Sequence, residues 1–243
     1  MRKVAVLGWY GHGNFGDELI LEGLRTLFRG WQVQVFSNDG WSAYPLIDFD
    51  RVNRCDLFVL GGGELINGRW LWMPAPCMFK PRTRAYRLYA RTPFSRRSWI
   101  NRVEPKKVIL GCGVDAENPM QIGANVVRDL EQFDYIGLRD LAAVKILSGF
   151  PTLKPKVHLF HDLAFAVDLE QSTLSHLARL FPIKLHGLVL AHMAGVPYTF
   201  KPYHRKVQRV HETINGLTLE QIRADQRKSF REMMQKVSQN EED

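Results

Sequence analysis

Lys3-Val-Ala-Val-Leu-Gly-Trp-Tyr-Gly-His-Gly-Asn-Phe-Gly-Asp-Glu-Leu-Ile20 is the stretch from which the fold is read. Its first part is an apolar run ended by Gly8, short and rich in valine, as suits a strand buried on both faces. The chain then turns through Gly11, Gly13 and Gly16, and the spacing of Leu19, Ile20, Leu24, Leu27 and Phe28 predicts a helix from Asp17 to Phe28. Outward from this unit the same rhythm recurs. Trp31 to Phe36 reads as a second strand, Asp56 to Leu60 as a third that ends in Gly61-Gly-Gly63, and Lys107 to Gly111 as a fourth. A helix over 123–133 leads to a strand at Tyr135–Leu138, a helix over 140–148 follows, and Val157 to Phe160 closes the series. Strands alternating with helices predict a doubly wound α/β fold with a parallel sheet. In such a sheet ligands bind outside the carboxyl ends of the strands, a rim that holds Gly16, Gly63, Gly113, Arg139 and Asp162.

Residues 66–106 interrupt the rhythm with Trp70, Trp72 and several prolines, and read as an insertion at a strand end. Within and just beyond it, residues 80–107 hold ten Lys/Arg residues against one acid, Glu104, which exceeds the net charge of +8 carried by the whole chain. Such a concentration attracts polyanions, whether an anionic membrane surface, a lipid-linked diphosphate sugar or nucleic acid; the plainer reading is a solvated face. From Thr218 a capping pair with Gln221 introduces a helix whose apolar stripe is Leu219, Ile222, Phe230, Met233 and Val237. No apolar run reaches the ~18 residues of a membrane span, and the expected address is the cytoplasm, with peripheral membrane contact through the basic segment. Cys55, Cys77 and Cys112 have neither disulfide nor metal-ligand spacing and are expected to pack.

Gly11-His-Gly-Asn-Phe-Gly16 spells the dinucleotide fingerprint, with Asp39 placed where a ribose-binding acid would stand. Against a nicotinamide cofactor, Trp9 and Tyr10 separate the glycines from the strand, and Asp17 and Glu18 would repel a pyrophosphate at the helix start. The competing reading has backbone N–H groups at Gly13 and Gly16 approaching a ligand while Asn14 and Asp17 face sugar hydroxyls.

Gly13-Asn-Phe-Gly-Asp-Glu-Leu-Ile20 resembles the entry loop of the polysaccharide pyruvyl transferases. Leu138-Arg-Asp140 and Asp162-Leu-Ala-Phe165 resemble further motifs of that family, as do Lys184-Leu-His186 ahead of Gly195-Val-Pro197 and Tyr203-His-Arg-Lys206. Lys184 stands where the family has arginine, and only 19 residues lie between Phe165 and Leu185, where the family has most of a second domain. The resemblance implies a Rossmann-like domain over 1–165, half of a glycosyltransferase-B-like arrangement. A shortened remnant of the second domain over 166–207 and a helical segment over 208–243 follow. Lys184 and His186 alternate along what is expected to be extended chain, which puts a cation and a proton donor on one side.

The implied reaction moves a pyruvyl group from phosphoenolpyruvate to two hydroxyls of a saccharide or lipid-linked saccharide, without metal or other cofactor. Arg139, Lys184 and Lys206 would hold the anionic donor. His186 would be the general acid, Asp17 or Asp162 the base, and Gly13, Asn14, Gly16, Gly62 and Gly63 would line the substrate. Two other classes stay open from the residues themselves. One is a member without turnover that binds a glycan, phosphosugar or protein, alone or as a homo-oligomer. The other is a nucleic-acid binder with Tyr86, Tyr89, Phe94 and Trp99 as stacking platforms.

Overall fold

The computed structural model describes residues 1–37, 42–63, 65–66, 99–170, 185–195 and 205–239. Six strands, β1 (Lys3–Leu7), β2 (Gln32–Phe36), β3 (Leu57–Gly61), β4 (Lys106–Cys112), β5 (Tyr135–Leu138) and β6 (Val157–Leu159), form one sheet in the order β2-β1-β3-β4-β5-β6. Every pairing is parallel, with Val4 opposite both Val33 and Leu57, and Ile109 opposite Ile136. The helices are α1 (Phe15–Leu27), α2 (Phe49–Val52), α3 (Ala124–Leu130), α4 (Leu141–Leu147), α5 (Leu185–Ala194), α6 (Arg205–Ile214) and α7 (Leu219–Gln239). The doubly wound α/β expectation holds, with element ends within a few residues of those read from the sequence.

Strand alternation explains why the sheet needs cover on both faces. Ala5, Leu7, Phe58, Leu60, Ile109 and Ile136 join one core with Val126 and Leu130 of α3 and Ala143 and Leu147 of α4. Val4, Val6, Leu57, Val59, Val108 and Leu110 join the other with Ile20 and Leu24 of α1 and Met233 and Val237 of α7. Phe230 of α7 meets Phe28 edge-on at 5.1 Å between ring centroids. A third cluster gathers Val189 and Leu190 of α5 with Val207 and Val210 of α6 around Leu19, Phe165 and Ile222. The returning segment therefore packs on the amino-terminal half of α1, at Phe15 and Leu19, and on the short 3-10 turn Leu163–Ala166.

The capping box is present: Thr218 N–H donates to Gln221 Oε1 at 2.7 Å and Gln221 N–H to Thr218 Oγ1 at 3.2 Å. Most of the basic insertion, 67–98, lies outside the described residues, as do Asp39, Cys77 and Tyr203. Its described end corrects one expectation. Trp99 is not a stacking platform but a core residue, buried edge-on against Phe58 at 5.9 Å, because the short helix Trp99–Arg102 inserts it beside β3. Arg102 lies over the Phe49 ring, and Lys106 pairs with Asp134 at 3.8 Å. Among the described residues no helix is long and apolar enough to cross a membrane, and no group of His, Cys, Asp or Glu is arranged to hold a metal ion.

Candidate active site

The order of the strands reverses between β1 and β3, and the loops that leave their carboxyl ends frame the crevice expected of an open α/β sheet. After β1 the side chains alternate. Tyr10 turns inward, its hydroxyl donating to Gly61 O at 2.6 Å, and Trp9 turns outward. Gly11 and Gly13 follow at φ +77° and +71°, backbone that side-chain-bearing residues rarely adopt. Gly11 N–H is taken by Glu18 Oε1 at 2.6 Å, so this amide is not offered to a phosphate. Asn14 caps α1 and its Nδ2 donates to Asp17 Oδ2.

Asp17 stands in the first turn of α1, only 8% exposed. Burial pushes its carboxyl up from 3.8 to about 6; the Asn14 hydrogen bond opposes this, Asp162 and Glu18 reinforce it, and the charge of Lys206 pulls it back. Lys206, in the first turn of α6, thus shares the site with Asp17. His186 enters from α5. A methyl placed on Gly16 would sit 1.9 Å from its Nδ1, so the imidazole rests directly on the α1 backbone beside Asp17. The extended chain expected around His186 is corrected here: His186 lies in the helix Leu185–Ala194, and Lys184 lies outside the described residues. Leu185 to Ala194 is helical because it is apolar on almost every side and is buried in the third cluster rather than paired as a strand.

Arg139 and Asp162 face each other below the rim. Arg139 Nη1 lies 3.5 Å from Asp162 Oδ2, and both side chains are essentially closed to solvent. Asp162 also accepts from Ala164 N–H at 3.1 Å, and the guanidinium tucks under Gly113, where an added methyl would meet Nη2 at 2.8 Å. Cys112 is beside them, but burial pushes its thiol up to about 12, which leaves no nucleophilic thiolate near neutral pH. Gly62 and Gly63 carry φ +67° and +69°; a methyl on Gly62 would strike Ile20 at 2.2 Å, and Gly63 O accepts from Gly113 N–H at 2.8 Å. These two glycines shape the loop and hold β3 to β4.

The structure therefore brings together Asp17, Asn14, Gly16, His186 and Lys206, with Arg139 and Asp162 as a buried pair behind them. The sequence profile of polysaccharide pyruvyl transferases matches residues 14–179, which spans Asn14, Asp17, Arg139 and Asp162 and stops short of His186 and Lys206. The chain belongs to the polysaccharide pyruvyl transferase family. No curated protein matches the sequence. A solved AraC family transcriptional regulator from Pseudomonas putida aligns at a TM-score of 0.28 and 11% identity over 65% of this chain and 76% of that one, a likeness too slight to bear on fold or function.

Several residues that shape this transferase-family site escaped the sequence reading. Gln226 of α7 is buried and its Nε2 donates to His161 O at 3.2 Å and Asp162 O at 2.8 Å. Arg223, one turn earlier, donates to Phe165 O and Val167 O. Arg209 of α6 reaches Val114 O at 2.9 Å and Ala116 O at 2.6 Å, behind β4. The available signal was Gln226 itself, a polar residue at helical spacing between Ile222 and Phe230 on a buried stripe.

Proposed function

We propose that the protein transfers the pyruvyl group of phosphoenolpyruvate to two hydroxyls of one sugar in a polysaccharide or lipid-linked glycan. The observation that supports it most is the imidazole of His186 resting on Gly16 beside Asp17, a carboxyl of pKa about 6. An imidazole able to donate a proton, set beside a carboxyl that exchanges its own near neutrality, is what addition across an enol ether needs. His186 delivers a proton to the methylene carbon of the donor, and C2 becomes cationic. One sugar hydroxyl adds to C2 and gives its proton to ionised Asp17. The C2–O bond to phosphate then breaks, the phosphate departs with its electron pair and takes the proton held by Asp17, and the second hydroxyl closes the ketal as it gives its proton to the His186 imidazole, which restores both groups. Lys206, with Lys184, supplies positive charge for the phosphate and carboxylate. Arg139 acts through Asp162, whose buried carboxylate it neutralises.

A binding protein without turnover is the second reading, favoured by that same pair: Arg139 is 2% exposed and spends its charge on Asp162 rather than on a ligand. Calorimetry with phosphoenolpyruvate, together with phosphate release in the presence of sugars, separates the two. Transfer requires wild-type binding, loss of binding in Lys184→Ala and Lys206→Ala, and retained binding without phosphate release in His186→Ala. No donor binding by the wild type refutes it. Donor binding without phosphate release for any acceptor selects the second reading.

A further inference from the structure

Trp9 is 45% exposed, one of a few large apolar side chains left open to solvent among the described residues. An indole in water forgoes a large burial term, and this one stands on a loop at the carboxyl rim, where ligands of an open α/β sheet bind. The loop is not slack. Tyr10, the next residue, is anchored to Gly61 O, its own carbonyl accepts from Ser42 Oγ at 2.7 Å, and Ala43 N–H donates to Gly11 O at 2.9 Å. His12 stacks on the indole with ring centroids 4.2 Å apart and planes 24° apart. One face of the indole is therefore backed by imidazole and held in place, and the exposure belongs to what remains. Five residues further along, Asn14 hydrogen bonds Asp17, and Gly16 in the first turn of α1 lies against the His186 ring.

The two substrates of the proposed reaction differ in chemistry. The donor is a compact anion, matched by the positive charge that Lys206 brings beside Asp17. The acceptor is an uncharged ring, polar at its hydroxyl edge and apolar on the face where axial C–H bonds align. The face of an indole is electron-rich and attracts such partly positive C–H groups, whereas it offers nothing to a phosphate. We propose that the Trp9–His12 stack is the acceptor subsite, on which a pyranose ring lies by its apolar face with its hydroxyl edge directed toward Asp17. This rests on the transferase reading for the identity of the acceptor, and on the loop geometry for the platform. A rigid stacked platform binds the ring without ordering a side chain, so most of the contact energy appears as affinity.

The test is titration of indole-labelled protein with methyl β-D-galactopyranoside, methyl β-D-glucopyranoside and methyl α-D-mannopyranoside, followed by the Trp9 indole resonance, assigned by its absence in Trp9→Phe. At least one glycoside should shift that resonance saturably. Trp9→Ala should weaken binding on the order of tenfold, Trp9→Phe should restore most of it, and neither should change phosphoenolpyruvate affinity. Glycosides that leave the Trp9 signal unmoved, or that bind Trp9→Ala as they bind the wild type, overturn the platform even where donor binding and phosphate release are intact. Glycosides that move Trp9 in a protein that does not bind phosphoenolpyruvate uphold the platform and refute the transferase reading instead.

Discussion

Replacing Asp17 with asparagine should stabilise the protein at about pH 7.5 and leave it unaltered near pH 4. The carboxyl is held at about 6 in the folded chain against 3.8 when exposed, chiefly because burial penalises its charge. Between those values the folded state binds more proton than the unfolded one, so stability falls as pH rises through the window and the penalty is complete above it. At face value the shift corresponds to about 3 kcal/mol; the carboxylate keeps partial access to solvent and to the charge of Lys206, which reduces this to roughly 1–2 kcal/mol. Asparagine retains an oxygen to accept from Asn14 Nδ2 and has no charge to bury. His161, which is buried, and the half-buried His158 and His192, whose ring protonation desolvation pushes below its usual range, act in the opposite sense, with stability lost as pH falls below 6.5. They are common to both proteins and cancel in the difference. Urea unfolding of the pair from about pH 4 to 7.5 should therefore show a gap that opens with pH, or about 2–4 °C in thermal midpoint per kcal/mol. A gap independent of pH, or a variant less stable than wild type at pH 7.5, refutes the account of Asp17 as a desolvated acid and with it the assignment of a base titrating near neutrality.

Arg139→Met leaves the Asp162 carboxylate buried without its counter-charge and should cost about 3–5 kcal/mol in urea unfolding; adding Asp162→Leu should recover much of that, and a loss unaffected by the second change would refute the pairing. Gly16→Ala drives a methyl into the His186 ring, so phosphate release should fall by at least an order of magnitude, roughly as for loss of a general acid, while the circular dichroism spectrum is kept; wild-type turnover would place His186 outside the chemistry. Gln226→Leu removes the amide donor shared by His161 O and Asp162 O and should destabilise by about 1–3 kcal/mol, with faster hydrogen exchange at Ala164 N–H, which Asp162 accepts; exchange at the wild-type rate would separate α7 from the site.

What the sequence exposed and what it hid follow from range. β1, α1 and the glycine turn were legible because period, cap and breaker residues act within a few positions of one another, and the positive φ at Gly62 and Gly63 is the local need that a glycine run announces. The order of the strands was not legible, since near-continuous apolar runs such as Leu57–Gly61 and Lys106–Cys112 fit any interior position of a parallel sheet. Arg139 reads as a surface cation ready for a ligand because charge is visible in a sequence and burial is not; the partner that takes it inside, Asp162, arrives only when β6 pairs with β5. Trp99 misled in the same way, as an aromatic in a basic run whose ring is in fact spent on Phe58. His186 lies in a helix that no period marks, because its described residues are apolar on almost every side.

The rim is held by the chain's own last third. Three donors from α6 and α7 reach backbone carbonyls of the strand-end loops: Arg209 those after β4, and Gln226 and Arg223 those after β6. Thr213 of α6 adds an acceptor, its hydroxyl receiving Leu141 N–H at the start of α4, immediately beyond Arg139 and Asp140. Such loops have carbonyls and N–H groups that no ladder satisfies, and burying them without partners would cost about 1–3 kcal/mol each. The returning helices thus do two things with one set of contacts. They complete the hydrogen bonding of the rim, and they fix Asp162 and the backbone beside Arg139 relative to Asp17. They also carry His186 on α5 and Lys206 on α6 to the face of α1, packed through Val189, Val207 and Leu19 in the third cluster. The short passage from Phe165 to Leu185 is consistent with this economy of structure. The glycine loop near one end of the chain and the imidazole that rests on it from the other meet only because α5 folds back over α1, so the site exists as a tertiary object and not as a motif.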